Sequence, residues 1–316
     1  MNGRALPRRH IALGSFCLCC LPWSARQASA GALFPAYVTE VASGIYIRQG
    51  VTEDATPGNS DSIANIGFIV GRDAVAVIDP GGSLEDGQSL FLAIRQVTRL
   101  PIRYVVMTHV HPDHVFGAAA FQAEKPTFIG HANLPQALGI RGEYYRDSLE
   151  RILGSGRAGP IVMPSVLVRD QAEIDLGGRT LVLTAHSTAH TNCDLSVVDR
   201  MTGVLLAGDL LFVNRVPSLD GDLRGWLAQL AILNALNVRS AVPGHGPALV
   251  DWADAAGSLN RYLTALLNET REAIKHGVPI EDAATTVGLS ERGRWKLFDD
   301  YNGRNVIESY RTLEWE

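Results

Sequence analysis

Thr108-His109-Val110-His111-Pro112-Asp113-His114 follows directly on the apolar run Ile102 to Met107. The run reads as a buried strand, and the polar block begins where that strand gives way to a loop. His109 and His111 are two apart at a strand end, so their side chains leave on the same side and can share one ion. Asp113 and His114 come after the Pro112 turn and can aim at a second ion beside it. Three histidines and a carboxylate within six residues suit metal coordination far better than packing.

Upstream of this block, Ile66 to Val70 and Ala74 to Ile78 are apolar runs separated by Gly71-Arg72-Asp73, a hairpin pattern. Val41 to Ile47 reads as an edge strand before them. Asp79-Pro80-Gly81-Gly82 makes a sharp turn with no P-loop lysine. Leu84 to Arg99 then carries apolar residues at helical spacing. Downstream, residues 133–166 read as helix and then Gly/Pro-rich loop, a candidate active-site flap. A second set of strands begins near Leu167, with Leu181 to Thr184, Leu195 to Val198 and Val204 to Ala207. The helix Trp226 to Leu236 follows, and then a short strand, Ser240 to Val242. Two halves of strands, helix and strand predict an α/β fold, a four-layer αββα sandwich. A helical C-terminal tail is expected over Asp251 to His276, Ile280 to Val287 and Arg304 to Leu313. No Pro/Ser-rich linker interrupts residues 31–316, which read as one domain.

Three further residues stand at predicted strand ends, where such a sandwich gathers its loops. His190 lies in Ala189-His190-Thr191-Asn192-Cys193-Asp194, Asp209 closes the run from Val204 to Gly208, and His245 sits between Gly244 and Gly246. His186, four residues before His190, could take its place as ligand, but it lacks the Thr-x-x-Asp pattern that follows His190. His186 and Thr191 are therefore expected to support a ligand rather than act as one. Cys193 reads as a buried thiol, His131 as a structural histidine and His276 as a helix C-terminal cation. Asp220, in the loop after Asp209, is expected to contribute little.

The ends and the composition bound what surrounds this centre. Of 316 residues, 46% are hydrophobic and 19% charged, ordinary for a globular protein with a substantial core. Arg8-Arg9, the apolar stretch Ile11 to Leu21 and Ala28-Ser29-Ala30 form a signal-peptide pattern over residues 1–30. The paired arginines resemble a twin-arginine signal. Cleavage near Ala30 would give a periplasmic protein with no stable membrane insertion. It would also remove Cys17, Cys19 and Cys20, leaving Cys193 without a disulfide partner. Four arginines and no acids would leave with it, moving the formal charge from −5 to −9. So acidic a chain has no electrostatic footprint for nucleic acid. A small-molecule substrate is expected.

The order of Asp79, the His-x-His-x-Asp-His block, His190, Asp209 and His245 resembles the motifs of the metallo-β-lactamase superfamily. That resemblance implies one metal site of His109, His111 and His190, and a second of Asp113, His114 and His245. Asp209 would bridge the two, and Asp79 would organise the ligands without being one. Nitrogen and oxygen ligands suit Zn²⁺, with Fe or Mn as other occupants. Two ions about 3.5–4 Å apart are the expected geometry. Zinc lowers the pKa of bound water to about 7, so a hydroxide can attack a carbonyl at neutral pH, with Asp113 and Asp209 as the catalytic carboxylates. No serine or cysteine nucleophile is needed.

Within the superfamily, zinc β-lactamases of the commonest subclass carry Cys at the position of Asp209 and Lys three residues later, where this chain has Phe212. A drug's carboxylate would lack its cation, so a periplasmic β-lactamase is the alternative reading. Gly208 to Phe212, Asp220 to Trp226, Val242 to Pro247 and the tail Asn305 to Tyr310 are similar to the quinoprotein relay system zinc metallohydrolases. That resemblance implies an ester, thioester or lactone hydrolase accessory to quinoprotein alcohol metabolism. A metal-containing binding protein without turnover is the remaining alternative, and metal removal would separate it from an enzyme.

Overall fold

The computed structural model describes Met1 and residues 35–316. The expected signal peptide falls almost wholly on residues 2–34 and lies outside the described residues. The first sheet runs in chain order: β1 (Thr39–Ala42), β2 (Ile45–Arg48), β3 (Ile66–Val70), β4 (Val75–Ile78), β5 (Ile102–Met107), β6 (Thr127–His131) and β7 (Val166–Val168). Strands β1 to β4 are antiparallel, and β4 to β7 are parallel. The second sheet has the order β13 (Val250–Asp251), β12 (Ser240–His245), β11 (Leu205–Phe212), β10 (Leu195–Asp199), β9 (Thr180–Ala185) and β8 (Gln171–Asp175). Only β11 and β12 are parallel there.

Strand β4 shows why the sheets stack. Val75 and Val77 face the helices α1 (Leu84–Val97) and α3 (Leu134–Leu153), whereas Ala76 and Ile78 face the second sheet. Period-two alternation with apolar residues on both faces suits a strand buried on both sides. Leu205 and Ala207 of β11 likewise pack outward on α4 (Leu223–Asn234) and α5 (Trp252–Lys275), while Leu206 points between the sheets. The result is the expected αββα sandwich. Side-chain caps begin the main helices: Ser83 accepts from Asp86 N in α1, Asp222 from Gly225 N in α4, and Asp251 from Asp254 N in α5. Helices α6 (Ile280–Thr286) and α7 (Phe298–Leu313) complete the outer layer, and α2 (Pro112–Val115) is a single turn at the end of β5. Among the described residues, no helix is long and apolar enough to cross a membrane.

Several boundaries differ from those expected. Val41 to Ile47 is a hairpin, because Gly44 at φ 68 turns the chain between β1 and β2. Val166–Val168 belongs to the first sheet beside β6, so the second half starts at Gln171. Helix α7 begins at Phe298, six residues before the expected Arg304. Strand β11 does not stop before Asp209. It continues to Phe212 through register shifts around Gly208, and this irregularity hides the strand from a pattern reading.

Candidate metal centre

The seven expected ligands meet where the C-terminal ends of the parallel strands open. His109 follows β5, His111 caps α2, and Asp113 and His114 lie within it. His190 comes from the turn between β9 and β10, Asp209 from the irregular stretch of β11, and His245 from the last position of β12. Strand β12 reaches Asp209 only because residue 244 is glycine, since a Cβ there would lie 1.9 Å from Asp209 Oδ1. One ligand atom from each of His109, His111, His190 and Asp209 lies within 4.8 Å of the others, and the same holds for Asp113, His114 and His245.

Four of the five imidazoles have one nitrogen hydrogen-bonded to a protein partner. Nδ1 of His114 donates to Asp79 Oδ2 at 2.7 Å, Nδ1 of His109 to Thr108 Oγ1 at 3.0 Å, and Nδ1 of His245 to the carbonyl of Ile63 at 3.1 Å. Nε2 of His111 donates to Asp220 at 3.2 Å, and Asp194 Oδ1 lies 3.5 Å from His190 Nδ1. The opposite nitrogens of four rings converge on Asp209. Its Oδ2 is 3.6 Å from Nε2 of both His109 and His190, while its Oδ1 is 3.1 Å from His114 Nε2 and 3.5 Å from His245 Nε2. One carboxylate thus offers an oxygen to each group.

The donor atoms test whether metal ions fit. Nε2 of His109, His114 and His190, Nδ1 of His190 and Oδ1 of Asp209 are buried without a hydrogen-bond partner. Each such orphan costs about 1–3 kcal/mol unless something binds it. Cations are the partners that accept lone pairs from imidazole and carboxylate together, and a nitrogen/oxygen set of this kind suits zinc. Rings fixed through their outer nitrogen are the usual support of a metal-binding histidine. Burial holds His109 well below the ordinary histidine pKa, keeping it neutral as a ligand requires. Burial also lowers His114, but the carboxylates of Asp209, Asp113 and Asp79 overcome it and raise the ring well above that value.

Asp79 sits beneath this cluster and bonds to one of its rings. Its carboxylate accepts from Thr108 N at 2.8 Å, Thr108 Oγ1 at 2.9 Å and His114. Its φ of 55 places a non-glycine residue in the left-handed region, a local strain of order 1–3 kcal/mol concentrated at functional sites. Thr191 donates through N and Oγ1 to Asp194, which stands beside His190. His186 departs from expectation. Its ring nitrogens pair with Gln229 and Ser196, so the ring ties the second sheet to α4 and bonds to none of the expected ligands. Cys193 is buried and its thiol is pushed up to about 12 by burial, which leaves it unreactive. His131 accepts from Asn133 N at the start of α3, and His276 is exposed after α5.

Asp220, expected to contribute little, instead faces a ring of the cluster. Its loop hangs from the turn that carries His190, through Asp220 N to His190 O at 3.1 Å and Asp222 N to Ala189 O at 2.9 Å. Gly221 permits this approach, because a Cβ there would lie 2.2 Å from Ala189 O. Arg141 of α3 donates to the same Asp220 oxygen that faces His111, and Tyr145 sets its ring edge toward His111 with centroids 6.2 Å apart. Asp194 is visible only as the last letter of the Thr-x-x-Asp pattern, Asp220 only as the first residue of the segment Asp220 to Trp226, and no short-range signal marks Arg141. Above the ligands lies a cavity of about 720 Å³, bordered by α3 on one side and by α7 with Arg215 on another. The expected flap, residues 133–166, thus contributes a wall through α3.

The sequence model of the metallo-beta-lactamase superfamily matches residues 60–245. Over 67 residues the chain is 29% identical to a linear primary-alkylsulfatase from Pseudomonas sp. (strain ATCC 19151), covering 21% of this chain and 13% of that protein. The solved structure of a stereoselective inverting sec-alkylsulfatase from Pseudomonas sp. superposes with a TM-score of 0.68 at 18% identity, covering 89% of this chain and 51% of that one. A metallo-beta-lactamase from Pontibacter korlensis superposes with a TM-score of 0.59 at 19% identity, covering 72% of this chain and 98% of that one. The chain therefore spans about half the length of the sec-alkylsulfatase and a small part of the primary one. At these identities the superpositions establish the shared fold.

Proposed function

The chain belongs to the metallo-β-lactamase superfamily as a metallo-hydrolase with its metal-binding residues intact, and on that premise we propose a dizinc hydrolase acting on carbonyl esters, thioesters or lactones. The observation that carries this reading is Asp209, one oxygen toward His109 and His190 and the other toward His114 and His245. Zinc held by these residues would supply a hydroxide near neutral pH and polarise the substrate oxygen. Asp113 lines the cavity with Oδ2 3.2 Å from His245 Nε2, and its carboxylate would accept a hydrogen bond from the attacking water and fix its direction. Asp220 and Asp79 hold His111 and His114 in orientation.

The departures from the β-lactamase pattern, Asp209 and Phe212, support a substrate other than an anionic drug. Arg215 does line the cavity, but it is engaged with Glu53 O, Asp54 and Tyr301. A second reading, hydrolysis of an alkyl sulfate, is favoured by the alkylsulfatase likeness extending over 89% of this chain. Metal analysis of the purified protein with a panel of thioester, lactone, β-lactam and alkyl sulfate substrates tests both. About two zinc ions per chain and turnover of the carbonyl substrates are expected, whereas sulfate release alone would replace the first reading with the second. A task that survives removal of zinc would make the chain a binding protein.

Export and a link to quinoprotein alcohol metabolism rest on the sequence patterns described above. Intact-mass measurement on cell fractions tests the first, with a mature N-terminus near Gly31 expected in the periplasm and Met1 retained if the reading is wrong. Comparing growth on alcohols with and without the gene tests the second. Unimpaired growth would count against it.

A further inference from the structure

Helix α3 brings an apolar surface to the metal cavity and leaves it uncovered. Tyr144 is 68% exposed and Ile152 43% exposed, and both line the cavity with Leu149 between them. They are eight positions apart, about 12 Å along the helix at 1.5 Å per residue. Tyr145 continues this surface inward: its ring lies 6.0 Å from Tyr144 and 6.2 Å from His111, a continuous aromatic path from solvent to a ligand. Phe212 and Leu219 add buried apolar lining. The opposite wall differs in kind, for α7 presents Asp300, Arg304 and Glu308. On the α3 side Arg141 is already paired with Asp220, and Arg146 and Arg151 of the same helix do not line the cavity.

We infer that the α3 wall binds the hydrocarbon arm of the substrate, so that the centre acts on esters, thioesters or lactones carrying a medium-length alkyl or acyl chain. The reaction rests on the proposed carbonyl hydrolysis, but the binding of the chain does not. An apolar arm laid along Tyr144, Leu149 and Ile152 removes exposed hydrophobic surface that nothing else in the described residues covers. It also reaches His111 beside Tyr145, where the adjoining charged groups, Arg141 and Asp220, are paired with each other. Burial of each methylene strengthens binding up to about fourfold.

The test uses the zinc-loaded protein and straight-chain alcohols, with affinity for butan-1-ol, hexan-1-ol and octan-1-ol measured by calorimetry. Affinity should climb with chain length, and the double variant Tyr144→Ser, Ile152→Ser should bind octan-1-ol at least about tenfold more weakly. Ile140→Ser changes a residue of the same helix that is 73% exposed but does not line the cavity, and should leave octan-1-ol affinity unchanged. In an ester series from acetyl to octanoyl, KM should fall with length in the native protein and much less in the double variant. Octan-1-ol binding without turnover of any ester would sink the hydrolysis reading and keep the wall. Equal affinity for all three alcohols, or octan-1-ol binding untouched by the double variant, would overturn the inference. So would a change in oligomeric mass on serine substitution without loss of octan-1-ol affinity, since a second copy would then be what covers this face.

Discussion

Nε2 of His111 lies 3.2 Å from a carboxylate oxygen of Asp220, and Arg141 of α3 donates to that same oxygen. The ring is therefore held from outside with its other nitrogen left for the cluster. Asp220→Asn keeps the shape and removes the charge. Zinc affinity, measured by competition with a chelator, should fall about 10- to 100-fold, the scale of losing an outer partner of a metal-binding histidine. Unchanged affinity would return Asp220 to the role of a plain loop residue.

Asp209→Asn removes the negative charge that separates the two groups of ligands. Activity should fall at least about a hundredfold, as when one electrostatic stabiliser is removed, and metal content should drop with it. Circular dichroism should show the fold intact, because the strands around Asp209 bury their apolar residues independently of it. A variant with full zinc and full activity would show that Asp209 only shapes β11.

Asp79→Asn isolates charge in a different way, since asparagine tolerates the left-handed backbone that Asp79 adopts at φ 55. The amide can still accept from Thr108 N, but it cannot serve Thr108 Oγ1 and His114 as a carboxylate does. The second metal site should weaken by about tenfold or more while the first changes little. Titration of metal-free protein with cobalt, followed by absorption, distinguishes the two. Equal weakening of both sites would mean that Asp79 supports the whole loop rather than His114.

What the sequence made legible follows from range. The His109 to His114 block and its preceding strand are local patterns, as are the runs of β3, β4 and β5, and all were readable from periodicity. Asp209 was recognisable as a ligand candidate but was set at a strand end, because the register shifts around Gly208 break the alternation on which strand reading depends. Asp220 reaches His111 across 109 positions and Arg141 reaches Asp220 across 79, so their roles depend on where α3 and the loop settle in space. His186 shows the complementary case: it is near His190 in sequence, yet its ring faces Gln229 and Ser196.

Far from the site, Arg179 grips Asp199 with two hydrogen bonds of 3.0 and 2.9 Å and also donates to Val70 O and Ser43 O, tying the two sheets together. Burial pushes the Asp199 carboxyl up, but Arg179 and Thr202 overcome it and leave the pKa below the ordinary 3.8. A depressed folded value means the stabilisation is fully present above about 3.8 and lost as pH falls through the lower folded value. Asp199→Asn should destabilise by about 3–5 kcal/mol at pH 7, since it strands a buried cation. Urea midpoints should show this gap narrowing below pH 4. A gap constant down to pH 2 would mean that the ion pair is not its source.

Asn305 of α7 accepts from Leu219 N at 2.9 Å and donates to Pro217 O at 2.7 Å and to the Tyr262 hydroxyl at 2.9 Å. It thereby fixes the loop on which Asp220 stands. A ribosome releases every direct ligand, up to His245, before Asn305 has been made. Metal captured by that nascent chain would meet a His111 whose outer support is still unanchored. Biosynthesis is thereby put in order: tight loading is a property of a chain that includes Asn305, and a nascent chain that has exposed His245 but not yet Asn305 would be a leaky holder of zinc.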